Sequence, residues 1–394
     1  MAEQPTFVAG LDLSERFYTE AVRPILDAAF PSLAHAAALI GSGSEVLGFD
    51  TPRSADHNWG PRLQLFLRPD DHATHYAAIS QTLAERLPRD FLGYSTNFTS
   101  PSDSGSRLMK PLSAPAAPAP TAPVPSDAEA PAAMQDERLF VRHFVEITTV
   151  DAFFRVHLGI APTLTPRPLD WLLLPEQRLL SVTAGRVFHD GLGNGLGELN
   201  ALRQTFAYYP HDVWLYLMSA QWRRIAQEEA FVGRTGEAGD ELGSRIVAAR
   251  LARDLMRLAF LQERRYAPYS KWLGTAFARL ACGPELAPLL TEALRAESWQ
   301  RREHALSQAY SIVARLHNAL NVTAPLPTQV SPYYGRPFLV IHADRFADAL
   351  HIAILDEMVL TLPFPIGSVD QWVDSTDALD RPALLTRLSA AYEG

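Results

Sequence analysis

The sequence predicts an α+β fold, with a mixed sheet and flanking helices in the N-terminal part and a mainly helical C-terminal part. Three observations carry that expectation. The apolar run 37–40 breaks at glycine and serine and is followed by a second run, 63–67, in which Leu63, Leu65 and Leu67 alternate with Gln64 and Phe66 at the period of a strand. From Glu198 onward apolar residues recur mostly at helical spacing. Between these parts prolines cluster at 162–168, which places a domain boundary there and divides the chain into 1–161 and 162–394.

Taken in order, Phe17, Ala21 and Ile25 recur at helical spacing over 13–30, with Pro24 positioned to kink that helix or to start a second one. After the 63–67 strand, Pro69 and the acidic pair Asp70 and Asp71 open a helix expected to run to about Leu87. A short strand is expected over 94–99. The segment 101–135, with its Ala-Pro alternation over 113–125, cannot bury a core and reads as an extended loop inserted between two strands of one sheet. Deleting 113–125 should therefore leave the melting temperature nearly unchanged; a large fall would show that the segment is packed.

A strand over 139–148 and a helix over 150–158 follow. Beyond the proline cluster, helical turns at 171–174 and 177–180 lead to a short strand at 186–190. The alternating glycines of 191–197 do not fit a dinucleotide-binding pattern and read as a turn. Long helices are expected over 213–229, 241–265, 285–297 and 299–320, then a strand at 338–341 and a helix over 344–355.

Size and composition bound the function. At 394 residues there is room for two cores, and a formal charge of -9 argues against a nonspecific polyanion binder, which would need clustered lysine and arginine. Cys282 is the single cysteine. An intrachain disulfide and a cysteine-based structural zinc site are thereby excluded, and Cys282 is expected to be a small core filler. No basic flank with an apolar block opens the chain, and no apolar run reaches the roughly 18 residues of a membrane helix, so a cytoplasmic protein with no membrane partner is expected.

The stretch 37–67 carries the chemistry. Gly41, Ser42, Gly43, Ser44 and Glu45 end the first apolar run, and Asp56, His57, Asn58, Trp59, Gly60, Pro61 and Arg62 lead into the second. Glycines beside serines let a backbone approach an anion, and amides opening a helix, expected directly after this turn, point partial positive charge at it. Gly41 and Ser42 are thus phosphate-contact candidates. In a strand, residues two apart share a face, so Asp56 and Asn58 would reach one divalent ion from positions roughly 6 to 7 Å apart. His57 between them would point the other way and be buried. Proline at 61 removes a ladder donor, so the phase of the side chains need not carry across it.

At these residues the sequence resembles the nucleotidyltransferase superfamily of DNA polymerase beta-like enzymes. More closely, the Gly-Ser-Gly-Ser-Glu and Asp-His-x-Trp-Gly-Pro-Arg motifs resemble an uncharacterised bacterial family within it. The resemblance implies a nucleotidyltransferase-like sheet that transfers a nucleoside monophosphate from a nucleoside triphosphate to the hydroxyl of a small molecule, protein or RNA. It implies magnesium held by Asp56, Asn58 and a third carboxylate on a neighbouring strand, for which Glu146 is the candidate, as ligand or as base. One departure stands out. Asn58 occupies the position of the family's second aspartate and brings no negative charge, which leaves a nucleotide-binding pseudoenzyme as the alternative.

Gly41, Ser42 and Ser44 would hold phosphate, and Arg62 would either join them or brace the turn through a carboxylate. Lys271, ringed by Tyr266, Tyr269 and Trp272, would offset triphosphate charge, or would be a surface lysine on a core-packed helix. The glycine-rich stretch 233–241 reads as a helix-start loop with acidic capping. Arg345 and His351 share a predicted helix at a spacing found in helical ribonucleases, a third and weaker reading.

Overall fold

The computed structural model describes residues 6–55, 57–102, 105–110, 112, 140–161, 165–193, 197–364 and 366–392. Asp56, most of the Ala/Pro segment, the start of the proline cluster at 162–164 and part of the 191–197 turn lie outside the described residues. The class is α+β. Two compact units are present, Met1–Thr163 with Ser181–Thr205, and Leu164–Leu180 with Phe206–Gly394. The chain therefore re-enters the first unit after the position where the sequence suggests it has left.

In the first unit, α1 (Gly10–Phe17) runs through a π turn, Tyr18–Val22, into α2 (Arg23–Ala29). Pro24 accounts for the π turn. It has no amide hydrogen and its ring crowds the carbonyl four residues back, so the ladder ahead of it widens. β1 (His35–Leu39) is followed by β2 (Arg62–Leu67), α3 (Pro69–Arg86) and a small hairpin of β3 (Asp90–Phe91) and β4 (Tyr94–Ser95). β5 (Phe144–Thr149) and α4 (Val150–Leu158) complete the N-terminal stretch.

Thr149 caps α4 by accepting from the Ala152 amide at 3.1 Å, and Gly159, at φ +74°, ends it in the left-handed conformation. After α5 (Pro168–Leu173) and α6 (Glu176–Thr183), the chain adds β6 (Arg186–Asp190) and α7 (Glu198–Thr205).

The four-stranded sheet has the order β5-β2-β1-β6. β2 runs antiparallel to β1 and parallel to β5, and β6 pairs antiparallel with the outer side of β1. The 101–135 segment does not lie between two strands of one sheet as expected: it follows β4 of the separate hairpin and precedes β5 of this sheet. One face carries Leu63, Leu65, Leu67, Val145 and Ile147 against Leu13, Phe17, Leu26, Ile79 and Leu83, all buried. On the other face Phe66 packs edge-on to Phe153 of α4, with ring centroids 5.4 Å apart. β2 is buried along its whole length, as a central strand covered on both faces should be.

The second unit is built on α8 (His211–Glu228), α9 (Phe231–Glu237), α10 (Glu241–Gln262), α11 (Ser270–Phe277), α12 (Gly283–Arg295) and α13 (Trp299–Ala319), followed by a β7–β8 hairpin (Ser331–Tyr333, Arg336–Val340) and α14 (Asp344–Ile352). α8 packs on α10 and α14, and α13 on α10 and α12. Trp222 stacks on Phe346 at 4.3 Å.

The glycine-rich stretch is mostly helix rather than loop. Gly236 lies where a Cβ would come 2.2 Å from the Trp299 ring, so the missing side chain is what lets the two elements approach. Asp240 then caps α10 by accepting from the Gly243 amide at 2.7 Å. Arg302 is fully buried and is held by Ser244, Glu241 and the Ala296 carbonyl. Glu229 and Glu303 are among the acids that are also interior. Glu229 accepts from the amides of Ile341 and Ala343, and Glu303 lies beside Gly233; burial pushes both carboxyls up to about 7.

Candidate functional site

The end of β1 and the starts of β2 and β5 meet at one edge of the first unit's sheet, since Ala38 is opposite Gln64 and Gln64 is opposite Glu146. The glycine-serine turn projects from this edge. Gly41 has φ +90° and Gly43 φ +148°, values that suit residues without a Cβ. Gln64 reaches back to the turn, its Oε1 accepting from the Ile40 amide at 3.1 Å. The Gly41 amide donates to the Ser181 carbonyl at 2.6 Å, so it is already engaged within the protein. Ser42 is exposed and Ser44 half-buried.

No α-helix starts at this turn. Residues 44–48 form turns closed by Gly48 to Glu45 and Phe49 to Ser44 hydrogen bonds, and Gly48, at φ +68°, ends them. Within these turns the Glu45 side chain points inward and forms a buried ion pair with Arg62. Arg62 Nε donates to Glu45 Oε1 at 2.9 Å, and a terminal nitrogen donates to the Ser42 carbonyl at 2.8 Å. Of the two roles open to Arg62 from the sequence, the guanidinium occupies the bracing one.

Asn58 does not open a strand. β2 begins four residues later at Arg62, and Asn58 sits in a bend at φ +51°. There it forms a two-way clasp with Arg107: the Asn58 amide donates to the Arg107 carbonyl, and the Arg107 amide donates to Asn58 Oδ1, both at 2.8 Å. The expected strand-face alignment of positions 56 and 58 is therefore not what brings Asn58 to this edge. His57 is exposed rather than buried. Arg107 also lies over the Phe144 ring at 5.2 Å, with Arg62 at 5.6 Å from the same centroid. Nothing in the sequence points to Arg107, because it falls in the stretch whose composition reads as loop.

Glu146 is exposed on β5, an edge strand, and has no hydrogen-bond or ion-pair partner among the described residues. No group of three or more His, Cys, Asp or Glu side chains that could hold a metal ion occurs among the described residues, which do not include Asp56. The structure thus gathers Gly41, Ser42, Ser44, Asn58, Arg62 and Glu146 at one sheet edge. Lys271 belongs to the second unit, exposed on α11 with its ammonium 5.0 Å from the Trp272 ring centroid.

In the same unit, Arg345 donates to the carbonyls of Ile341 and His342, and His351 lies against Phe364. Arg345 is thus tied to the backbone ahead of its own helix. Cys282 is free and buried, and no helix among the described residues is long and apolar enough to cross a membrane.

A family model described as a domain of unknown function (DUF4037) matches residues 171–273, a stretch that does not include the 41–62 motifs. No curated protein and no solved structure matches the chain.

Proposed function

We propose that the first unit binds a nucleoside triphosphate with magnesium and transfers its nucleoside monophosphate to an acceptor hydroxyl. The observation that carries this reading is the glycine-serine turn, braced by Arg62, beside the exposed carboxylate of Glu146 at one sheet edge. Ser42 and Ser44 would donate to phosphate. Gly41 would contribute by its missing side chain rather than by its amide.

Asp56, Asn58 and Glu146 would hold the magnesium. Among the described residues the fit rests on Glu146, a hard-oxygen ligand outside any ion pair, and on the lone pair that the Asn58 clasp leaves over. A bound cation would neutralise triphosphate charge. The acceptor oxygen attacks the α-phosphorus, the bond from that phosphorus to the pyrophosphate oxygen breaks, and pyrophosphate leaves. The hydroxyl proton would pass to the Glu146 carboxylate if that group serves as base instead of as ligand.

A second reading, nucleotide binding without turnover, is favoured by one observation: Asn58 is uncharged and its side-chain oxygen is already engaged by Arg107. Calorimetric titration of the four nucleoside triphosphates with magnesium tests both. Asp56→Ala should weaken binding at least about tenfold, the loss of roughly 1.4 kcal/mol of ligand contact. Pyrophosphate release in the presence of an acceptor separates transferase from binder. Absence of binding by the native protein would end both readings.

A further inference from the structure

The second unit contains a pocket of about 300 Å³ bounded by α10, the start of α11 and the segment 370–379. Arg253 and Arg257 line it from α10, one helical turn apart and so on one face. They differ in their partners. Arg253 is half-exposed and pairs at 2.9 Å with Asp374, itself 83 % exposed, a contact of the kind that gives way readily. Arg257 has no hydrogen-bond or ion-pair partner among the described residues, and its Nε is buried.

Asp370, which also lines the pocket, and Glu176 are the acids that attract Arg257, and each accepts a backbone amide. Asp370 Oδ2 accepts from the Glu176 amide at 2.9 Å, and Glu176 Oε2 accepts from the Ala267 amide at 2.9 Å. Burial raises both carboxyls, which lessens the negative charge facing the guanidinium. An arginine cannot shed its proton, so the buried, unpartnered Arg257 Nε is a standing destabilisation unless an external acceptor reaches it. Ser375 and Thr376 add hydroxyl donors across the pocket, and Leu273 and Leu379 give it an apolar side.

We infer that this pocket binds a small phosphate monoester, its phosphoryl oxygens held by the Arg257 fork and the hydroxyls of Ser375 and Thr376, with Arg253 exchanging Asp374 for the ligand. Two guanidiniums and two hydroxyls offer more donors than the two oxygens of a carboxylate can use; a phosphoryl group has three oxygens to receive them. The volume is at the small end of ligand pockets, which suits a compact body. The site lies within the second unit and is independent of the triphosphate reading above.

The test uses the full chain without magnesium and inorganic phosphate as the probe, with sodium chloride at matched ionic strength as the control. Phosphate should raise the melting temperature of the native protein, and Arg257→Gln should weaken phosphate binding about tenfold or more by calorimetry. The melting temperature of the variant in chloride is the baseline against which its own phosphate response is read, since Arg257 also attracts Glu176 and Asp370. Thr376→Val, which alters only the hydroxyl, should weaken phosphate severalfold. An equal phosphate response in native and Arg257→Gln protein would overturn the inference, and so would acetate binding as tightly as phosphate.

Discussion

Arg62→Ala should destabilise the first unit by about 3–5 kcal/mol, read as a lower denaturant midpoint. The magnitude follows from burial: the side chains of Arg62 and Glu45 are 7 % and 3 % exposed, so removing the guanidinium strands a carboxylate in the interior and frees the Ser42 carbonyl. Glu45→Ala should do comparable damage from the other side. Replacing both partners by apolar residues of similar volume should recover much of the loss, because no charge is then left unpaired. The same experiment decides between the roles that the sequence leaves open for Arg62. If Arg62→Ala left the midpoint unchanged and only weakened triphosphate binding, the brace would carry no weight.

Glu303→Gln should stabilise the second unit at alkaline pH and change little in acid. The folded state holds the Glu303 carboxyl up to about 7, against 4.5 for the free group, because burial disfavours its charge. Between these values the folded chain binds the extra proton. The contribution to stability is therefore fully present below about 4.5 and is lost as pH rises through about 7. A shift of this size corresponds to roughly 3 kcal/mol at pH 8. Urea unfolding at pH 4.5 and pH 8 gives the answer: the variant should match native protein in acid and exceed it in alkali. A stability gain equal at both pH values would refute the assignment. Glu229, raised to about 7 as well, keeps part of the pH dependence in the variant.

How much of this was legible in the sequence depended on how local its cause was. α10 was expected over 241–265 and is found as Glu241–Gln262, since its apolar stripe and the acidic residues at its start lie in one stretch of chain. α13 and α4 were readable on the same grounds. β6 was recognisable as a strand, but its partner was not, because pairing with β1 joins residues far apart in sequence. The helix expected after Gly41 is replaced by turns that Gly48 ends in the left-handed conformation, and the brace from Arg62 to Glu45 comes from seventeen positions away. The sequence shows the charge that Asn58 lacks, but not its clasp with Arg107, which depends on a residue forty-nine positions on. Lys271 is as exposed as its plainer reading required.

The order β5-β2-β1-β6 also sets a schedule for synthesis. The inner side of β1 pairs with β2 soon after both emerge, but the outer side waits for Arg186–Asp190, roughly 150 residues later. At about 5–20 residues per second, the nascent chain carries that open ladder for on the order of ten to thirty seconds. An unpaired strand edge is an invitation to other chains. β1 meets the delay with a run of alanines, Ala36, Ala37 and Ala38, a residue with little inclination to recruit a foreign strand. Low strand propensity at this position should thus limit mispairing of the ribosome-bound chain, and the small side chains fill the finished sheet.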